Sequence, residues 1–355
     1  MTSSNFGDPR LVADLASRIS SLGLKEAQLM EVCGTHTVSI AMHGIKSLLP
    51  SGIRVVSGPG CPVCVTSDSD MHLAFQVARM EGVTLATFGD MMRVPVNGKS
   101  LFDMKAEGAN VRTVYSPFDV LPLASEGPVV FFGVGFETTS PGVAALLREA
   151  DARGLDGLYL ISCFKLIPPA LKALLEAGDV RIDGLILPGH VSTVIGTQPY
   201  QFLVEEFGIP GVIAGFEPVD LMVGIYALLK MVRDGKAALV NAYTRSVRPE
   251  GNQGAIRLMN GYFEPVSSEW RGLGTIPGSG LALRAEHSGH DAVKRLGLKK
   301  VRFEEPKGCR CSEVIRGAAL PSECPLFAKR CTPENPIGPC MVSSEGACAA
   351  YYNYG

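Results

Sequence analysis

The chain has 355 residues, 46% of them apolar and 19% charged, with a formal net charge of −2. That length allows two or three domains with sizeable cores, and the near-neutral charge, with no basic block, excludes nucleic acid as a partner. The longest apolar stretches, such as Leu221 to Leu229, are too short to span a bilayer, and the opening MTSSNFGDPR lacks the basic-then-apolar pattern of a secretion signal. A cytoplasmic protein with no membrane partner is expected.

The first predicted element is an amphipathic helix over Pro9–Leu22, with Leu11, Leu15, Ile19 and Leu22 on one face. Leu29-Met-Glu-Val-Cys33 reads as a strand that ends in Cys33-Gly-Thr-His36, and a helix is expected through Ile40 to Leu48. From residue 53 a pattern recurs: a buried strand, a Gly/Pro loop carrying polar or thiol groups, then a helix. Ile53–Val56 runs into Ser57-Gly-Pro-Gly-Cys61-Pro-Val-Cys64, followed by a helix from about Ser67 to Met80. Ser67 suits the N-cap, and Asp68 and Asp70 suit the first turn. Strands follow at Val83–Phe88, Pro128–Val134, Gly157–Phe164, Gly184–Leu187 and Gly211–Ala214, with helices from about Pro141 and over Val219–Arg233.

Continuous apolar strands alternating with helices predict parallel sheets covered on both faces. The expected architecture is α/β: two three-layer parallel-sheet domains, over 1–122 and 123–235, and a small cysteine-rich C-terminal region over 236–355. Beyond Gly308 there is too little apolar sequence for an independent core, so a metal is expected to stabilise the tail.

Six of the ten cysteines lie in that tail: Cys309, Cys311, Cys324, Cys331, Cys340 and Cys348. So many thiols in a reducing compartment favour metal or redox use over a disulfide framework. Cys311, Cys324, Cys331 and Cys348 give C-x12-C-x6-C-x16-C, too irregular for paired zinc knuckles and suited to a [4Fe–4S] cluster. Cys309 and Cys340 are then spare, and Cys309, two positions from Cys311, is an alternative ligand. Structural zinc or inert buried thiols are the plainer readings.

Cys61-Pro-Val-Cys64 suits a reversible dithiol, half a metal site, or neither. It differs from a thioredoxin-type motif in that its helix is expected to start after the second cysteine. Cys33 and His36 alone form a weak pair, and a buried Cys beside a turn His is the default. Glu137, Thr138, Thr139, His190, Ser192 and Glu217 fall at carboxyl ends of strands, where open parallel sheets place ligand sites. Each also suits a helix cap. Cys163 reads as core, and Gly133-Val-Gly135 lacks the rest of a dinucleotide fingerprint.

Taken together, Glu31-Val-Cys33-Gly-Thr-His36, Gly58-Pro-Gly-Cys61-Pro-Val-Cys64, Gly135-Phe-Glu-Thr-Thr139, Pro188-Gly-His-Val-Ser192 and the tail motif from Cys331 to Pro-Cys-Met-Val-Ser-Ser-Glu-Gly-Ala-Cys348 resemble the HypD family of [NiFe]-hydrogenase maturation proteins. The resemblance covers almost the whole chain. It implies a cytoplasmic scaffold that holds one iron together with a HypC-type chaperone. Cyanide then comes from a HypE-type donor, and the finished Fe(CN)2CO unit passes to the hydrogenase large-subunit precursor. By the same resemblance, Cys33 is the iron ligand with His36 close by, and Cys61 and Cys64 are a redox dithiol. Cys311, Cys324, Cys331 and Cys348 match the family's cluster ligands.

The chemistry is coherent. Low-spin Fe(II) carrying cyanide and CO favours a soft thiolate anchor, and transfer of cyanide from a thiocyanate-like donor consumes two electrons, which a dithiol can deliver as a pair. The chain then acts more as an assembly scaffold than as a stand-alone enzyme. Two rivals remain: a self-contained Fe–S thiol–disulfide oxidoreductase acting on a small substrate, and a zinc-stapled binding module.

Overall fold

The computed structural model describes residues 6–355. It contains two parallel sheets and one antiparallel hairpin. The strands, in chain order, are β1 (Ala27–Glu31), β2 (Ile53–Ser57), β3 (Thr84–Phe88), β4 (Val111–Val114), β5 (Val129–Gly135), β6 (Leu158–Phe164), β7 (Gly184–Pro188), β8 (Gly211–Ala214), β9 (Leu239–Asn241), β10 (Phe263–Trp270) and β11 (Gly274–Leu283). The first sheet runs β2-β1-β7-β8-β9 and the second β4-β3-β5-β6. Every residue of β5 and of β7 is buried, which is why these strands read as unbroken apolar runs.

The two sheets do not follow contiguous halves of the chain. The first takes β1 and β2, the chain then builds the second sheet, and it returns with β7 to β9. The boundary expected near residue 122 falls inside the helix Val120–Glu126, between two strands of one sheet. Local periodicity marks strands but carries no pairing information. Leu29 of β1 pairs with Gly184 of β7, far away in sequence. A Cβ on Gly184 would stand 3.2 Å from the Leu29 side chain and 3.1 Å from Leu228, so a bare backbone lets the two leucines pack.

Several expected boundaries move. The helix expected from Ile40 begins at Gly34, directly after Cys33, and ends at Met42. A short helix over Pro62–Val65 already contains Cys64, so the helical turn starts within the CxxC motif rather than after it. Ser67 caps the next helix, Asp68–Ala78, accepting from the Asp70 N–H at 3.1 Å. The β10–β11 hairpin carries no clear strand signal, because its solvent-facing face is polar and glycine interrupts it.

Lys165, at the end of β6, is a buried cation that the apolar run before it hides. Its Nζ donates to Asp70 Oδ2 (3.0 Å), Ser268 Oγ (2.6 Å) and the Glu269 carbonyl (2.7 Å). It thereby ties the second sheet to the helix Asp68–Ala78 and to β10. Asp70→Asn leaves this charge buried without its counter-ion and is expected to destabilise the fold by about 3–5 kcal/mol. Thermal unfolding of the variant against wild type checks this.

The cysteine-rich tail does not stand apart. Val314, Ile315, Met341 and Ala347 belong to the same core cluster as Met30, Val56 and Phe132. The tail lacks a core of its own, as expected, and borrows the main one.

Candidate functional site

The carboxyl ends of the first sheet's strands carry the sequence motifs side by side. Cys33 follows β1, the Cys61–Cys64 motif follows β2, His190 follows β7, and Phe216 and Glu217 follow β8. This is the edge where parallel sheets place ligand sites.

Cys33 is buried, with a fractional exposure of 8%. Its backbone N–H donates to Glu31 Oε2 at 3.0 Å. Burial pushes the thiol up to about 12, with the Glu345 and Glu31 carboxylates adding to it and backbone N–H groups of His36 and Thr35 opposing. The free thiol therefore stays protonated at neutral pH and is a poor nucleophile. A cation that displaces the proton makes it a ligand.

His36 is fully buried. Its Nε2–H donates to the carbonyls of Gly215 (3.0 Å) and Ala214 (3.3 Å), and its ring lies 4.8 Å from that of Phe216. Burial pushes it down to about 4, so the ring is neutral. Nδ1 then carries a lone pair, and it has no partner among the described residues. In this arrangement the ring has no N–H left to donate to a thiolate.

Cys61 and Cys64 form a disulfide with Cα atoms 5.3 Å apart. Cys61 is the N-cap of Pro62–Val65, and its sulfur accepts from the Cys64 N–H at 3.2 Å. The glycines of the loop bring this motif onto Cys33. The Gly34 N–H donates to the Gly60 carbonyl at 2.9 Å, and a Cβ on Gly60 would come within 2.6 Å of the Cys33 Cα. After differential alkylation, mass spectrometry is expected to find Cys61 and Cys64 paired in air and free after reductant. Thiols that stay free at every applied potential would count against a redox role.

The tail completes the site. Glu345 accepts from the Thr35 hydroxyl at 2.7 Å, and any side chain at Gly34 would overlap Glu345. All six tail cysteines line one pocket. Cys340, which the spacing leaves spare, is buried, with its sulfur 2.8 Å from that of Cys311. Cys324, one of the expected ligands, is half-exposed, as is Cys309. Cys340 also lines a second small pocket with Cys61, Cys64 and Glu345. The backbone N–H of Ile337 donates to the Cys331 sulfur at 3.3 Å, a contact that suits an electron-rich thiolate. Six soft donors around one pocket fit an iron–sulfur cluster by their chemistry. Among the described residues, no group of three or more His, Cys, Asp or Glu is arranged around a single metal ion.

The remaining candidates divide. Glu137 is buried, Oε1 accepts from the Ile167 N–H at 2.9 Å, and Oε2 has no partner among the described residues. Burial raises this carboxyl to about 7. His190 is exposed and stacks on Phe216 at 3.9 Å. Ser192 donates back to the Pro188 carbonyl at 2.7 Å, and Glu217 and Thr139 sit at helix N-termini. Thr138 is exposed and Cys163 is core. Sequence reading missed Glu345 and Arg271. Glu345 lies inside a quoted motif, but nothing local says that it lands on Gly34.

The HypD family model, described as "Hydrogenase formation hypA family", matches residues 10–355. The chain belongs to the HypD family. It is 45% identical over 359 residues to the hydrogenase maturation factor HypD of Cupriavidus necator, covering 96% of this chain and 95% of that protein. It is 43% identical to the protein of the same name in Rhodobacter capsulatus, over 99% and 97% of the two chains. With the hydrogenase expression/formation protein HupD of Azotobacter chroococcum mcd 1 it shares 44% identity, over 99% and 96%. Membership of the HypD family supports a role in [NiFe]-hydrogenase maturation. Among the described residues, no helix is long and apolar enough to cross a membrane.

Proposed function

We propose that this chain is the cytoplasmic scaffold on which the Fe(CN)2CO unit of [NiFe]-hydrogenase is assembled. It works with a HypC-type chaperone and a HypE-type cyanide donor, and the product moves to the large-subunit precursor through the chaperone. The observation that supports this most is the convergence of the motifs. Cys33, the Cys61–Cys64 disulfide and the thiol-rich tail meet at one sheet edge, joined by the Gly34–Gly60 and Thr35–Glu345 hydrogen bonds.

In this reading iron is cargo. Iron displaces the Cys33 proton, which leaves to solvent, and the resulting thiolate holds the metal as a soft ligand, while Glu31 fixes the Cys33 backbone. His36 has only Nδ1 left for this chemistry, its Nε2–H being tied to the Ala214 and Gly215 carbonyls at the end of β8. Cys61 and Cys64, as a dithiol, supply the electron pair for cyanide transfer: two thiolates close to a disulfide as the S–CN bond of the donor is reduced. Cys311, Cys324, Cys331 and Cys348 hold a [4Fe–4S] cluster, with Cys309 and Cys340 beside them. When bound, such a cluster supplies single electrons.

A specific observation disfavours the self-contained oxidoreductase. The pocket that Cys61 and Cys64 line has a volume of about 10 Å³, at the lower limit for one water molecule. Roomier cavities of about 670, 330 and 150 Å³ are lined by neither cysteine. The test is partner dependence. Hydrogenase activation is expected to require the chaperone, and the purified chain alone is expected to show no catalytic thiol–disulfide turnover. Steady turnover of a small disulfide by the chain alone would favour the rival.

A further inference from the structure

Arg271, in the turn between β10 and β11, is a charged side chain only 7% exposed. Its two terminal nitrogens are satisfied: Nη1 donates to Asp68 Oδ2 (3.1 Å) and Nη2 to Asp68 Oδ1 (2.6 Å) and to the Thr66 carbonyl (3.0 Å). Nε–H has no partner among the described residues. A buried donor left unpaired beside a charge is costly, so a native protein keeps one for a reason.

The surroundings supply the reason. Burial opposes the Arg271 charge, and Asp68 and the nearby Cys311 and Cys340 favour it. Gly272, the next residue, runs so close to the tail that a Cβ there would stand 2.9 Å from the Ser312 Cα. The other side of Arg271 holds the dithiol segment. Its backbone N–H donates to the Val65 carbonyl at 2.9 Å, one residue past Cys64, and Trp270 bridges Thr66. Arg271 therefore sits between the CxxC helix and the tail thiols.

We infer that Arg271 is a positioning residue for the tail's iron–sulfur group, its buried charge lying between the CxxC helix and the tail thiols, and that it sets the group's reduction potential. The inference rests on the reading that the tail holds a cluster. Adding an electron makes the cluster more negative, and a cation in a low-dielectric site favours that state. Arg271 raises the potential, and Asp68, which shields it, limits the rise.

The experiment is an anaerobic redox titration of the full chain, read by electron paramagnetic resonance, on wild type, Arg271→Gln, Arg271→Lys and Asp68→Asn. Iron and sulfide content is measured on the same samples. Arg271→Gln is expected to lower the reduced-to-oxidised ratio at fixed potential at least tenfold, about 59 mV for one electron. Asp68→Asn is expected to shift the potential the opposite way. Arg271→Lys keeps the charge and is expected to stay nearer wild type than the glutamine variant. A merely structural role moves no potential, or moves both neutralised variants in one direction. If Arg271→Gln does not fold, a rise in Asp68→Asn with little change in Arg271→Lys supports the inference. An unchanged or lowered potential in Asp68→Asn overturns it. Wild-type protein without cluster iron and sulfide overturns the cluster reading and this inference together, whereas a normal cluster at unchanged potential in Arg271→Gln overturns this inference alone.

Discussion

Serine in place of Cys311, Cys324, Cys331 or Cys348 is expected to strip the chain of roughly four irons and four sulfides. The hydroxyl is a hard, weakly acidic donor where the site offers soft thiolates. The six sulfurs line one pocket, so each single replacement tests a ligand against neighbours that could substitute. Cys340, buried against Cys311, is the sharpest comparison. If Cys340→Ser or Cys309→Ser loses the iron while Cys311→Ser keeps it, the four ligands are misassigned. Loss of the cluster is not expected to unfold the chain, because Val314, Ile315, Met341 and Ala347 anchor the tail in the main core. Limited proteolysis is instead expected to open the most exposed part of the tail, Ala328–Arg330, first.

Cys33→Ser is expected to yield no active [NiFe]-hydrogenase in a strain that depends on this chain, and a complex with the chaperone that lacks the extra iron. The fold, the tail's iron and sulfide, and the Cys61–Cys64 disulfide are expected to survive. The side chains are nearly isosteric, and the local structure is held by the backbone contacts of Cys33 to Glu31 and of Gly34 to Gly60. Burial pushes the Cys33 thiol up and so disfavours a free thiolate there; iron content and infrared bands measured on the variant complex tie the loss to metal ligation. Normal hydrogenase activity from the variant would contradict this.

Much of the site was legible because its residues sit in short motifs between strands that bury continuous apolar runs. The strands ending at Cys33, before Cys61, before Glu137 and before His190 were readable from β1, β2, β5 and β7 alone. Their pairing was not. A parallel sheet joins strands by crossovers of arbitrary length, so Leu29 could meet Gly184 without any mark near either. The contact between Glu345 and Gly34 escapes for the same reason: a glycine that must accommodate a distant side chain looks like any turn glycine. His36 was expected only close to Cys33, and only the fold shows the Ala214 and Gly215 carbonyls taking its N–H. Lys165 and Arg271 had a signal that went unused, a lone cation beside apolar residues, which often marks a buried pair.

Cys33 is proposed to anchor iron carrying cyanide and CO within a complex with the small chaperone. The direct measurement is infrared spectroscopy, in the CO and cyanide stretching region, of that complex purified anaerobically with wild-type protein and with Cys33→Ser. The expected result is CO and cyanide bands in the wild-type complex, absent from the variant although its tail cluster remains. Bands that persist in the Cys33→Ser complex would place the iron elsewhere, with Cys61 and Cys64 next in line, and would contradict the assignment.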